Sequence, residues 1–363
     1  MRIAFYGSSL LSSYWNGAAT YYRGILHALA RRGYEIVFYE PDAYGRQQHK
    51  DIEAPDWAQV VVYDATPEAV ATVAARAAHA DVVVKASGVG YADDALIQLV
   101  NAASRREAIR VFWDVDAPAT LAEISPAPDH AIRRTLPKLD LVFTYGGGDP
   151  VVEAYRALGG PETVPIYNAL DPATHHPVPP NPRFAADLAF LGNRLPDREA
   201  RVEEFFLAPA AALPDRAFLL GGAGWDGKPM SPNVRYLGHV GTGDHNAFNC
   251  TPKAVLNVNR ASMAEIGFSP PTRVFEAAGA GACLVTDEWP GIDHFLKPGE
   301  EVLVARDGRD VAEIVATLSP ERARAIGAAA LARVTAEHTY AQRAILADEV
   351  LRRVAARKRE RAA

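Results

Sequence analysis

Residues 265–287 read Glu265-Ile-Gly-Phe-Ser-Pro-Pro-Thr-Arg-Val-Phe-Glu-Ala-Ala-Gly-Ala-Gly-Ala-Cys-Leu-Val-Thr-Asp287. The pattern is a loop, then a helix opening near Ser269–Thr272, then a short apolar strand ending at Thr286. Pro270 and Pro271 suit a first helical turn but carry no N–H, so the amides left to face an anion are those of Thr272 and Arg273. A diphosphate fits such a helix end. Ser269 stands at its entry, Arg273 adds a charge-assisted bond, and Glu276, one turn on, has the two acceptor oxygens that a ribose diol needs. Arg273 and Glu276 also read as a plain surface pair at i,i+3, worth roughly 0.2–0.5 kcal/mol.

Outward from this stretch, short β-branched runs alternate with longer amphipathic ones, the pattern of parallel sheets covered by helices. In the first half, strands are expected near Ile3–Tyr6, Glu35–Tyr39, Val60–Tyr63, Val82–Lys85, Arg110–Trp113, Leu139–Thr144 and Thr163–Ile166, with helices near Ala18–Arg32, Pro67–His79, Ala92–Arg105 and Pro150–Leu158. The stretch Asp171–Pro182 is too rich in proline for a helix or a central strand and reads as a linker. Beyond it strands are expected at Leu188–Leu191, Ala217–Leu220, Val234–Leu237, Ala254–Val258, Cys283–Thr286 and Glu301–Val304, and a long helix closes the chain from Tyr340. The expected fold class is α/β: two Rossmann-like, doubly wound parallel-sheet domains facing a cleft, with a long C-terminal helix. The expected boundaries are 1–170, a linker at 171–182, 183–338, and a tail at 339–363 that packs back toward the first domain. A length of 363 residues agrees, because single cores stop growing near about 250–300 residues. Ligands of such sheets bind at the carboxyl ends of the strands.

Composition narrows the class. Hydrophobic residues at 49% and charged residues at 23% exclude a largely disordered chain, and a net charge of −6 argues against nucleic acid as the main partner. Two cysteines without C-x-x-C spacing fit a reducing, cytoplasmic setting. No signal peptide or apolar run of spanning length is legible. The histidines form no tight ligand motif, so no metal is expected. The basic tail Leu351–Arg361 suggests a weak peripheral contact with anionic lipid, or simply cations at a helix C-terminus.

The run Ser269–Asp287, followed by Pro290-Gly-Ile-Asp-His-Phe-Leu-Lys-Pro-Gly-Glu-Glu-Val-Leu-Val-Ala-Arg306, resembles the carboxyl-terminal domain of the CgeB-like (spore-maturation-type) glycosyltransferases. These belong with the group-1 transferases of the GT-B fold. The likeness covers about residues 185 to 340, and reaches the first domain more loosely through Gly7-Ser-Ser and Asn16-Gly-Ala-Ala-Thr20. It implies a nucleoside-diphosphate sugar, UDP-sugar favoured, as co-substrate, with no further cofactor. It also implies metal-independent transfer of a hexosyl group to the hydroxyl of a glycan, small-molecule or lipid-linked acceptor, in the setting of a bacterial cell-surface glycan. By position, Thr272 and Arg273 go to the diphosphate and Glu276 to the ribose. The family often carries a second glutamate eight residues before that one. Here Phe268 stands there, and its role toward the donor sugar is unassigned.

The remaining candidates lie at other strand ends. Arg194 and Arg198, in Phe190-Leu-Gly-Asn-Arg-Leu-Pro-Asp-Arg198, are the basic side chains that the resemblance would set against the diphosphate; each also reads as a solvated arginine starting a helix. Gly222 and Trp225 follow the second strand of the second domain and His239 the third, which makes them candidates for the neighbourhood of the nucleobase, with a core role open for Trp225. In the first domain Gly7 and Ser8 follow the first strand, and Gly17 and Thr20 open the first helix, as cleft contacts or as ordinary turn and cap residues. Asp116, with Asp114 second, is the expected catalytic base, against a reading as a turn-capping Asp. A nucleotide-sugar epimerase or hydrolase, and a non-catalytic sugar-nucleotide or glycan binder, are the competing readings. Neither half has the G-x-G-x-x-G fingerprint of a dinucleotide site.

Overall fold

The computed structural model describes residues 1–14 and 16–362. The chain divides into two compact units, Met1–Asn168 joined by Tyr340–Ala363, and Ala169–Thr339. Among the described residues no helix is long and apolar enough to cross a membrane.

The first unit holds strands β1 Arg2–Tyr6, β2 Glu35–Asp42, β3 Ala58–Asp64, β4 Val82–Ala86, β5 Ile109–Asp114, β6 Leu141–Thr144 and β7 Thr163–Pro165. They form one parallel sheet in the order β3-β2-β1-β4-β5-β6-β7. β4 is buried along its whole length, Lys85 included, which is why its run of valines shows no alternation. The order reverses between β1 and β4, and the loops after those strands flank the crevice where doubly wound sheets bind ligands. The helices are α1 Ala18–Arg31, α2 Pro67–Ala75, α3 Asp93–Ala103, α4 Ala117–Ile124, α5 Ala131–Thr135 and α6 Gly148–Ala157.

The second unit has β8 Leu188–Leu191, β9 Phe218–Gly221, β10 Val234–Tyr236, β11 Ala254–Asn257, β12 Leu284–Asp287 and β13 Leu303–Ala305, parallel throughout, in the order β10-β9-β8-β11-β12-β13. Its helices are α7 Glu199–Val202, α8 Ala208–Ala212, α9 His245–Cys250, α10 Ala261–Ile266, α11 Thr272–Gly279, α12 Ile292–Phe295, α13 Gly308–Thr317 and α14 Pro320–Glu337. A π turn, Glu203–Leu207, runs α7 into α8 just before Pro209, whose missing amide an unbroken α-helix would have needed. Phe190, Phe206, Phe218 and Leu256 anchor the core on this face of the sheet.

The final helix, α15 Tyr340–Ala362, packs in the first unit. Gly24 makes room for the Tyr340 ring, since a Cβ there would stand 2.2 Å from it. Arg32 and the Tyr34 hydroxyl donate to the Asp348 carboxylate at 2.6 and 2.7 Å. The basic end of α15 is largely spent inside the unit: Arg353 and Arg357 bond Glu162, and Lys358 bonds Asp140 at 2.6 Å. Part of the charge that suggested an anionic lipid therefore has protein partners, while Arg359 and Arg361 form no ion pair with any described residue.

The proline-rich stretch differs from its reading as a linker. Residues 171–182 belong to the second unit, and the chain passes between units at Asn168–Ala169 and Thr339–Tyr340. Proline denies this segment a ladder but not packing, and side chains of the second unit satisfy its backbone. Asn246 donates to the Thr174 carbonyl at 2.9 Å, the Asn181 amide donates to Thr251 Oγ1 at 3.0 Å, and Cys250 Sγ meets the Val178 carbonyl at 3.4 Å.

Candidate functional site

The loop into α11 is held in an uncommon backbone shape. Gly267 and Phe268 both have positive φ, 74° and 47°, and the Phe268 amide bonds the Pro290 carbonyl at 2.7 Å. Gly291 makes room for the Phe268 ring: a Cβ there would lie 2.4 Å from it. A left-handed phenylalanine costs about 1 kcal/mol or more, so the surrounding contacts must hold it. The residue at the position of the family's second glutamate is thus a structural wedge. Next in the chain, Ser269 is buried and its hydroxyl has no partner. No side chain caps α11, whose N-cap is Pro271, so the amides of its first turn remain available beside half-buried Thr272.

Two arginines meet this helix end, and neither is hydrogen-bonded to a carboxylate of any described residue. Arg273 is half-buried and makes no hydrogen bond or ion pair with any described residue; burial lowers its pKa, with Glu276 opposing. Arg198 lies over the Phe190 ring at 5.7 Å, donates Nη2 to the Asn193 carbonyl at 2.8 Å, and has a buried Nε with no acceptor. Burial, followed by the positive field of Arg273, brings the Arg198 guanidinium down to about 10. Two neighbouring like charges, partly withdrawn from water, favour an anion between them.

His245, at the start of α9, is a member of the cluster that sequence reasoning missed. Burial and then Arg273 lower its pKa, while Glu276 and a 3.3 Å contact with the Val240 carbonyl oppose the shift; His175, from the proline-rich stretch, contributes to the same field. The one sign of it in the sequence is a histidine opening a short helix. Arg198, His245, Arg273 and Glu276 thus share one electrostatic neighbourhood, assembled from the loop after β8, α9 and α11.

Several expected contacts serve the fold instead. Arg194 pairs with Glu199 at 2.7 Å, and Lys228 shares that carboxylate at 2.8 Å; those bonds draw Glu199 down to about 2. Arg194 is therefore engaged in a surface network, apart from the arginine pair. Gly222 has φ 117°, and a Cβ on it would stand 2.2 Å from the Gly192 carbonyl oxygen. Its close approach is to the chain's own backbone, not to a base. Trp225 is a core residue, 1% exposed, whose Nε1 donates to that same Gly192 oxygen at 2.7 Å. His239 is exposed in the loop after β10.

In the first unit Asp114, the second candidate base, is enclosed by donors. It is wholly buried and accepts from Ser87 Oγ at 2.7 Å, Thr120 Oγ1 at 2.9 Å, the Asp116 amide at 3.1 Å and the Tyr155 hydroxyl at 2.5 Å. Burial raises its pKa and these bonds oppose the rise. Asp116, half-buried at the N-cap of α4, does not cap the helix with its side chain, so the cap reading is not the one realised. Gly7 is small because of the Phe38 ring, 2.6 Å from where its Cβ would be, and Ser8 Oγ donates to Asn16 at 2.9 Å. Gly17, at the uncapped start of α1, is exposed with open space around it, and Thr20 is half-buried one turn on. Glu40, missed from sequence, is buried and shapes this loop by accepting from Ser9, Gln47 and the Leu10 amide. Among the described residues no three His, Cys, Asp or Glu side chains gather in a way that could hold a metal ion.

Residues 198–352 match the family described as glycosyl transferase-like, a stretch that contains Arg198, His245, Arg273 and Glu276. No curated protein matches the chain by sequence. Among solved structures, HepE from Anabaena, crystallised with UDP-glucose, is 15% identical, with 97% of this chain and 99% of that chain covered and a TM-score of 0.68. Sucrose-phosphate synthase from Thermosynechococcus elongatus is 14% identical over 98% and 99% of the two chains, TM-score 0.71. The trehalose-6-phosphate synthase OtsA is 11% identical over 97% and 99%, TM-score 0.72. The fold is GT-B: two Rossmann-like parallel-sheet units in one chain, closed by a long terminal helix.

Proposed function

We propose that this protein is a glycosyltransferase that moves a hexosyl group from a nucleoside-diphosphate sugar, UDP-sugar by preference, to an acceptor hydroxyl. One observation carries the reading: Arg198 and Arg273 stand near each other at the uncapped start of α11, half-buried and hydrogen-bonded to no carboxylate among the described residues. A diphosphate supplies the missing negative charge, accepts from the free amides of Thr272 and Arg273, and leaves Glu276 one turn on for the ribose hydroxyls. The arginines and helix amides neutralise the leaving diphosphate in place of a metal ion. The glycosyl transferase-like match over this stretch and the UDP complexes of HepE support the class and the base.

The first unit takes the acceptor, a glycan or a small or lipid-linked hydroxyl compound. Asp116 removes the proton of the attacking hydroxyl, since Asp114 is occupied by four donors. Within the class, the CgeB-like subtype is our reading of Ser269–Asp287, and a role in a bacterial cell-surface glycan follows from it. The test is transfer of labelled sugar from a panel of UDP-sugars into an acceptor mixture. Asp116→Asn is expected to lose transfer and keep UDP binding. UDP released at the same rate with and without acceptor would instead mark a hydrolase.

A further inference from the structure

Four strands form the outer edges of the two sheets: β3, β7, β10 and β13. An edge strand presents a row of backbone N–H and C=O groups with no ladder partner, and folded chains blunt such edges by shortness, proline or basic residues. Three of these edges are blunted: β7, β10 and β13 have three residues each, β7 ends on Pro165, and β10 carries Arg235 at its centre. β3 is not. It has seven residues, pairs with β2 along all seven without a bulge, and contains no Pro, Gly, Lys or Arg. Val60, Val61 and Val62 stand at its centre, none of them buried, and Val62 is 40% exposed.

The charges beside this edge are divided by sign. Asp64 closes β3, and Glu68 follows in the first turn of α2. Because α2 runs back toward the amino ends of the strands, Arg76 and His79 lie at the opposite end, where they line a groove of about 720 Å³ together with Gln59. Val61 and Tyr63 line the same groove from the strand. The side chains of Asp64, Glu68, Arg76 and His79 are all exposed, and none of them forms a hydrogen bond or ion pair with any described residue.

We infer that a second copy of this chain pairs with β3 in antiparallel fashion across a twofold axis, joining two seven-stranded sheets edge to edge. With the axis at Val61, all seven residues find a partner: Val60 faces Val62 of the second copy, Gln59 faces Tyr63 and Ala58 faces Asp64. Moving the axis to Val60 sets Asp56 against Asp64, and moving it to Val62 sets Asp64 against Val60, so charge favours the central register. The antiparallel sense also brings the Asp64 and Glu68 end of each copy to the Arg76 and His79 end of the other, and the twofold makes the match twice. A parallel pairing brings like charge to like charge. That self-complementarity is what singles out a second copy as the occupant.

The test is sedimentation equilibrium of the full chain across about 1–100 µM. A monomer–dimer equilibrium within this range is expected. Val62→Lys, at an exposed position, is expected to weaken it about tenfold or more while the melting temperature of the monomer stays as in the parent. Arg76→Glu is expected to weaken it too, and Asp64→Lys/Arg76→Glu to recover it in part. Val61→Cys with oxidised glutathione is expected to give a disulfide-linked dimer, because facing residues of an antiparallel pair have Cα atoms about 4.5–5.5 Å apart. Gln59→Cys, about 13 Å from its own copy in this register, is not. A monomer at every concentration overturns the inference and leaves the edge to a strand of another protein. A dimer unchanged in Val62→Lys overturns it as well, since the contact then lies elsewhere. Cross-linking of Gln59→Cys but not of Val61→Cys overturns the register.

Discussion

The carboxyl end of β5 and the entrance to α11 are built in opposite ways. At the edge of β5 the charged group is Asp114, and four donors from Ser87, Thr120, Asp116 and Tyr155 close around it. Past β8 and β11 stand Arg198 and Arg273, and among the described residues no carboxylate hydrogen-bonds either. A buried charge with all its partners present is scaffold, because nothing further can bind it without breaking what is there. A pair of like charges with no bound carboxylate leaves an anion something to satisfy, which is the basis of the proposed diphosphate site.

The comparison can be broken most forcefully at Asp114. Asp114→Ala strands four donors and should cost about 3 kcal/mol or more, seen as a large drop in chemical-denaturation midpoint, while the folded fraction keeps its UDP affinity. A stable Asp114→Ala protein would erase the distinction. Arg273→Ala should behave in the reverse sense: stability within about 1 kcal/mol of the parent, and UDP binding weaker by about 10–100-fold by calorimetry.

Trp225→Phe tests the same division inside the second unit. Losing the bond to the Gly192 carbonyl should cost about 1 kcal/mol and leave nucleotide binding unchanged, whereas a stacking role would show as lost affinity. The smallest effect is at His245, whose pKa burial and Arg273 hold below the ordinary imidazole value. The unfolded chain takes up that proton near pH 6.5 and the folded protein only at lower pH, so stability falls as pH drops through this window. Arg273→Ala removes one of the causes that lower it, burial and the field of His175 remaining. The His245 ring titration followed by NMR should then move up, and the acid-side loss of stability should shrink.

Most of the fold was legible because its signal is repeated. All thirteen strands lie on short apolar runs, and β4 and β8 need no more than their own residues to be recognised. The helices without a signal are short: α4, α5, α10 and α12 span four to eight residues, too few for a 3.6-residue period to declare itself. Proline content alone misled on residues 171–182, because it speaks to ladders and not to the side chains of Asn246 and Thr251 that dock the segment. The helix start that carries Thr272, Arg273 and Glu276 was legible from one contiguous stretch. His245 was not, since what makes it a member is burial beside Arg273, a fact of tertiary packing. Glycine spacing likewise marked Gly222 as a place of close backbone approach but did not say to what; the partner is Gly192.

The most direct test is a calorimetric titration of UDP into the parent protein, Arg198→Ala/Arg273→Ala and Arg194→Ala. The arginine-pair site predicts that UDP binds the parent, that the double variant loses detectable binding, and that Arg194→Ala, whose side chain is held by Glu199, binds as the parent does. A double variant that binds UDP with undiminished affinity would contradict the account.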